Sequence, residues 1–166
     1  QAEDGIRDHC VTEVQTCALP ICSKILNKMS GLLNTAFIQS RINIPKEIAA
    51  GQETNRPLQG QAPYVINAGL FYDLDESGIQ INTLFNMVGK NIAFVGNENF
   101  RTVYLMPRKL LDLNMTKKIG ERFQLKLGIS DILNQPMLFI QESGGIRIIQ
   151  KFRPGQVFSA GLTIRI

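Results

Sequence analysis

The chain has 166 residues, 44% of them hydrophobic, with 18 Lys+Arg against 14 Asp+Glu, three Cys and one His. That length is enough for one domain with its own core. No run of 18 apolar residues occurs, which excludes a transmembrane helix, and the basic residues are scattered singly, which argues against a nucleic-acid interface.

The first 22 residues stand apart from the rest. QAEDGIRD, then His9 and Cys10, then VTEVQTCALPI closely resembles a translated sequencing adapter with its index read in frame. The one mismatch is Glu13, where the adapter frame gives Gly. Residues 1–22 are therefore read as an adapter-derived, non-native segment and set aside, and the true start of the gene is expected upstream. All three cysteines (Cys10, Cys17, Cys22) and His9 lie within that segment or at its junction. The remainder then has no disulfide, no thiolate metal site and no Cys–His or Ser–His pair. Neither a catalytic residue, a metal nor a cofactor is expected. Setting aside the one Arg and four acidic residues of the first 22 leaves 17 Lys+Arg against 10 Asp+Glu, a net charge of +7.

From Ser23 the pattern has period two, as in strands, whose successive side chains point to opposite faces. Gly31–Ile44 is the first strand candidate, with Ala36, Ile38, Ser40, Ile42 and Ile44 on one side. Pro45 ends it, because proline cannot donate to a ladder. A polar loop to Ala62 follows. In Tyr64–Asp73 the residues Tyr64, Ile66, Ala68, Leu70 and Tyr72 share a face. The turn Leu74–Gly78 leads to Ile79–Val88, where Ile79, Ile81, Thr83, Phe85 and Met87 alternate with Gln80, Asn82, Leu84, Asn86 and Val88. A long connection, Asn91–Arg108, precedes Leu111, Leu113 and Met115, which alternate with polar residues. A tight turn, Lys118–Arg122, returns the chain through Phe123, Leu125, Leu127 and Ile129. After a third long connection, Asn134–Gln156, the last strand reads FSAGLTIRI, with Phe158, Ala160, Leu162, Ile164 and Ile166 on its apolar side.

Six strands are thus joined by long, short, long, short and long connections. Short turns at one rim and long loops at the other are the habit of outer-membrane barrels. The polar faces carry Asn, Gln, Gly, Ser and Thr with a few charges, which suits a hydrated lumen. The apolar faces are read as free of charge through their spans, as hydrocarbon requires. The expected fold is all-β: antiparallel up-and-down strands forming part of a transmembrane β-barrel, about six strands and incomplete. On this reading Ile66, Ala68, Leu70, Ile79, Ile81, Phe85, Leu111, Leu113, Met115, Phe123, Leu125, Leu127 and Ile129 face lipid. Tyr64 and Tyr72 sit at opposite ends of one apolar face, as an aromatic girdle requires.

Four stretches carry a family likeness: RPLQGQAPYVINAGLFY (Arg56–Tyr72), FNMVGKNIAFVG (Phe85–Gly96), YLMPRKLLDL (Tyr104–Leu113) and ISDILNQP (Ile129–Pro136). In that order and spacing they resemble the C-terminal barrel of TonB-dependent receptors, most closely those of Bacteroidetes-type bacteria. The resemblance spans Gly31–Ile166. It departs from the family at Ile166, where a terminal aromatic is usual, and at Leu105, where an acidic residue is common.

The resemblance implies a 22-stranded barrel around an N-terminal plug, in the bacterial outer membrane, importing a scarce nutrient (siderophore, vitamin or glycan) with energy from TonB. It implies that Pro45–Ala62, Asn91–Arg108 and Asn134–Gln156 are extracellular and that the two short turns are periplasmic. Phe158, Ala160, Gly161, Leu162, Ile164 and Ile166 would form the signal read by the barrel-assembly machinery. The implied partners are outer-membrane lipid, the plug and upstream strands of the same receptor, TonB through that missing part, and the assembly machinery, with no nucleic acid. A piece of this size would not transport alone.

Two other readings stay open: a soluble antiparallel β-sandwich that binds a ligand, and another kind of outer-membrane barrel, an adhesin or an enzyme. Gly69, Gly128 and Gly161 are read as relieving crowding on curved strands. Asp112 and Asp131 are read as separate hydrogen-bonding residues, since nothing in the sequence brings them together.

Overall fold

The computed structural model describes residues 9–20, 28–45, 53–74, 77–142 and 144–165. Among them no helix forms, and the strands are β1 (His9–Pro20), β2 (Met29–Asn43), β3 (Asn55–Arg56), β4 (Tyr64–Leu74), β5 (Ile79–Val88), β6 (Asn91–Phe94), β7 (Val103–Leu105), β8 (Arg108–Ile119), β9 (Phe123–Ser130), β10 (Met137–Glu142), β11 (Ile146–Phe152) and β12 (Val157–Ile164). The main sheet runs β1-β2-β4-β5-β8-β9-β12, with β3 paired to β2, and curls into a half-barrel. Every pairing in it is antiparallel. A smaller antiparallel sheet of four strands, β11-β10-β7-β6, stands in the long connections.

The six expected strands all form, as β2, β4, β5, β8, β9 and β12. The largest boundary error is β8, which begins at Arg108 rather than Leu111 and runs on to Ile119. Two further features depart from the sequence reading. The connections Asn91–Arg108 and Asn134–Gln156 are not plain loops, because they hold β6, β7, β10 and β11. Also, β1 lies in the segment set aside as non-native and pairs along the edge of β2. Backbone pairing to an open edge makes small demands on side chains, so an extended segment of almost any sequence satisfies it.

Residues paired across an antiparallel ladder share a face, so the register assigns the faces directly. One unbroken face carries Leu33, Ala68, Phe85 and Leu111 in one row. The next row holds Leu70, Thr83, Leu113, Ile129 and Phe158, and the one after it Tyr72, Ile81, Met115, Leu127 and Ala160. In β2 this face is continued by Gly31, Leu33, Thr35 and Phe37. It is not continued by the set containing Ala36 and Ile38, because the alternation of β2 alone leaves open which side matches its neighbour.

The expectation that this face is free of charge is corrected at two positions, one at each end of β8. Lys109 lies on it opposite Met87 at the loop-side end, and Lys117 opposite Ile79 and Leu125 at the turn end. Lys117 is tolerated because it sits near the short turns and its Nζ reaches back to donate to the Ser77 carbonyl at 2.5 Å, carrying the charge out of the apolar zone.

None of the described apolar residues on this face is buried. Among the described residues the only buried hydrophobic side chains are Ala62, Ile92 and Ile140, all in the connections. Among the described residues no dry second layer packs on the apolar side of the half-barrel.

The short turns follow from glycine. Gly78 and Gly120 adopt φ of +61° and +62°, which Cβ-bearing residues rarely hold, and Lys118 N–H closes the rim by donating to Gly78 O at 2.7 Å. In the loop layer Gly96 is required for a different reason. A Cβ there would stand 2.5 Å from both Phe100 O and Thr102 N. Gly96→Ala is expected to destabilise the 97–100 tip by about 1–3 kcal/mol, the usual range for overpacking. Faster amide exchange at Gly96 and Asn97, with β4 and β5 unchanged, is the signature; unchanged exchange at the tip would refute it.

Candidate functional site

The half-barrel presents two chemically opposite surfaces, and the register shows how each is built. All the residues expected to face lipid fall on the apolar face just described. Tyr64 and Tyr72 lie on it too, eight positions apart, or about 27 Å along a strand rising 3.3–3.4 Å per residue. At the tilt of barrel strands that projects to about 20 Å, close to the height of a membrane band. Phe37 stands opposite Tyr64, so the loop-side rim carries two aromatic rings side by side. Gly89 makes room for one of them, since a Cβ there would stand 3.0 Å from the Tyr64 ring.

The opposite face carries rows of amides among apolar residues such as Leu32, Phe71 and Leu84. Asn34, Asn67 and Asn86 fall in one row, and Asn86 Nδ2 donates to Asn67 Oδ1 at 2.6 Å. Asn82 stands opposite Asn114, and Gln80 Nε2 donates to Asp73 Oδ2 at 2.7 Å. Gly128 is buried between Asn114 and Ser159, where a Cβ would meet side-chain oxygens at 2.6 and 2.7 Å. Gly69 lies under the Phe71 ring, 3.0 Å from where its Cβ would be. Both glycines relieve crowding, as the sequence reading has it. A Cβ at Gly161 would meet only Lys126 Cβ, at an uncrowded 4.0 Å, so that explanation does not extend to it.

In the terminal strand, Phe158, Ala160, Leu162 and Ile164 join the apolar face and Gly161 the polar one, opposite Lys126. Ile166 lies outside the described residues. Every residue of β12 is exposed.

One cluster was not anticipated. Asp112 and Asp131 are brought together after all: Asp131 N–H donates to Asp112 Oδ1 at 2.8 Å. Arg108 pairs with the Asp131 carboxylate and donates through Nε to Gln135 O at 3.0 Å, while Lys109 N–H donates to Gln135 Oε1 at 3.0 Å. The pair is largely buried, with side-chain exposures of 17% and 10%. Asp131 and Asn134 take the left-handed conformation, φ +57° and +44°, which folds the DILNQP segment back onto β8. Asp and Asn are the non-glycine residues that tolerate that conformation, so the segment itself carried a signal for a tight turn. The contact partners could not be read from spacing.

The loop layer frames a cleft of about 550 Å³, lined among others by Arg41, Asn55, Arg56, Lys90, Asn91 and Tyr104. Lys90 is fixed at its wall, 2.5 Å from Glu142 Oε1 and 4.1 Å from the centre of the Tyr104 ring. Burial raises the Tyr104 pKa above 10; Glu53 and Glu142 push it the same way, while Lys90 opposes them. The phenol is thus protonated through the neutral range. Because its folded pKa is raised, its contribution to stability is complete below pH 10 and is lost as pH climbs through the raised value. Ultraviolet titration against Tyr104→Phe should place the ionisation above pH 10, and Lys90→Met should move it higher still. A downward move on removing Lys90 would contradict this picture.

Among the described residues no group of three or more His, Cys, Asp or Glu could hold a metal. Comparisons with protein-family models, with curated proteins and with solved structures found no match for this chain.

Proposed function

We propose that residues 23–166 are the C-terminal part of the β-barrel of an outer-membrane TonB-dependent receptor, a nutrient importer, and that residues 1–22 are adapter-derived. The chain contributes wall and extracellular loops to a pore. Chemistry is not its task, so it works neither as an enzyme nor with a cofactor. Its partners are outer-membrane lipid, the plug and preceding strands of the same receptor, TonB through those missing parts, and the barrel-assembly machinery.

One observation carries the membrane reading. An apolar face continues across the whole meander with none of its described side chains buried, while the reverse face holds rows of asparagine. Water makes exposing such a face unfavourable, at about 25 cal/mol per Å², whereas acyl chains leave it satisfied. The receptor assignment within that class is supported by the four sequence stretches and their order. A soluble sandwich would instead bury the apolar face in a second layer.

The test is the state of the purified chain with and without detergent. The membrane reading expects a monomeric β-structured species in micelles that associates when detergent is removed. A chain that stays monomeric and folded without detergent would favour the sandwich.

A further inference from the structure

The small sheet in the loop layer has two edges, and they are treated differently. The outer edge of β6 is covered, because Gly60 N–H donates to Ile92 O at 2.8 Å and Gln59 Nε2 to Ala93 O at 2.8 Å. Along the outer edge of β11 no strand pairs among the described residues, and all seven of its residues are exposed. A bare edge is a template for another extended chain.

The side chains along that edge narrow the choice of partner. Ile92, Tyr104, Ile140 and Ile148 form one row across the sheet. Ile140 inside the sheet and Ile92 on the covered far edge are buried, at 2% and 3% exposed, yet Ile148 at the bare rim is 57% exposed. An apolar side chain on an added strand would complete the row. The charges are of one sign: Arg147 and Lys151 lie on β11, Arg153 follows it, and no acidic residue occurs from Ile146 to Arg153. A bulge at Ile149, where the register against β10 shifts, twists the edge as well. Bulges and cations are how edges repel indiscriminate pairing, so a strand that docks here must bring acids. A second copy centred on Ile149, the middle residue of β11, is disfavoured. Antiparallel self-pairing about Ile149 sets Arg147 against Lys151 twice over, and like charges directly opposite are destabilising.

We propose that the outer edge of β11 is a docking edge for an extended acidic segment of a separate protein, which joins the loop sheet as its fifth strand. The backbone supplies the pairing, the Ile148 row supplies the apolar contact, and Arg147 and Lys151 select for carboxylates. This rests on the loop sheet alone and holds whether or not the apolar face of the half-barrel meets lipid.

The experiment uses the whole chain in zwitterionic micelles with two seven-residue probe peptides, one of alternating Val and Glu and one of alternating Val and Lys. Amide hydrogen exchange across Ile146–Phe152 is the readout. The Val–Glu peptide should slow exchange there and bind about tenfold tighter than the Val–Lys peptide, the scale expected of a few cross-strand charge pairs. The exposed double variant R147E/K151E should fold as before, by circular dichroism, and should invert the preference. No slowing with the acidic peptide, equal slowing with both, slowing confined to β12, or an unchanged preference in the double variant would each overturn the proposal.

Discussion

Arginine at Leu113 will block stable insertion of the sheet into a bilayer, while arginine at the next residue, Asn114, will not. Leu113 sits in a central row of the apolar face, between Thr83 and Ile129, and Asn114 points to the other side, opposite Asn82 and Gly128. A charge on the lipid side of a barrel costs about 2–4 kcal/mol at the midplane and little near the interfaces. Leu113→Arg should therefore lower the stability of vesicle-inserted protein by about 3 kcal/mol, and Asn114→Arg by well under 1 kcal/mol. Denaturant titration of the two variants in phosphatidylcholine vesicles reads the difference. Lys117, native to the same face, shows why position matters: near the turns its ammonium reaches the Ser77 carbonyl, and from Leu113 no such exit is close. Equal costs at the two positions would remove the distinction between the faces.

The second large effect lies at the other end of β8. Replacing Arg108 with Met takes away the partner, at Oδ2, of a carboxylate whose side chain is only 10% exposed and whose Oδ1 has no donor. Breaking a buried pair by removing one member costs about 3–5 kcal/mol, because the remaining charge stays desolvated. Arg108→Met should fall in that range. The double variant Arg108→Met/Asp131→Asn should recover part of the loss, since Asn keeps the left-handed turn without the charge. Unfolding midpoints in urea compare the three proteins. A single variant within 0.5 kcal/mol of the parent would mean that the cluster contributes nothing to the fold.

The half-barrel was legible because its signals are local. Alternation such as Tyr64–Ile66–Ala68–Leu70–Tyr72, and turns marked by Gly78 and Gly120, depend on neighbours within a few residues. The small sheet was not legible for the opposite reason. Its strands are as short as Val103–Leu105, too brief for a period to emerge, and they pair with Phe139–Gln141 across more than thirty residues. The pairing of Arg108 with Asp131 was not legible for the same reason, the two being far apart in sequence and joined only once the DILNQP turn folds back. In β2 the alternation was visible but its phase was not. Only pairing with β4 assigns Leu33 and Phe37 to the apolar face.

A membrane wall requires that face to touch acyl chains, and one measurement reads it directly. Single nitroxide labels at Leu70, Leu113 and Leu127, and at Asn82, Asn114 and Ser159, would be compared in vesicles for relaxation by oxygen, which concentrates in lipid, and by a water-soluble nickel chelate. The first three should respond chiefly to oxygen and the second three chiefly to nickel. If the first three respond to neither, they lie in a dry protein interior; if they respond chiefly to nickel, they lie in water. Either result would contradict a membrane wall.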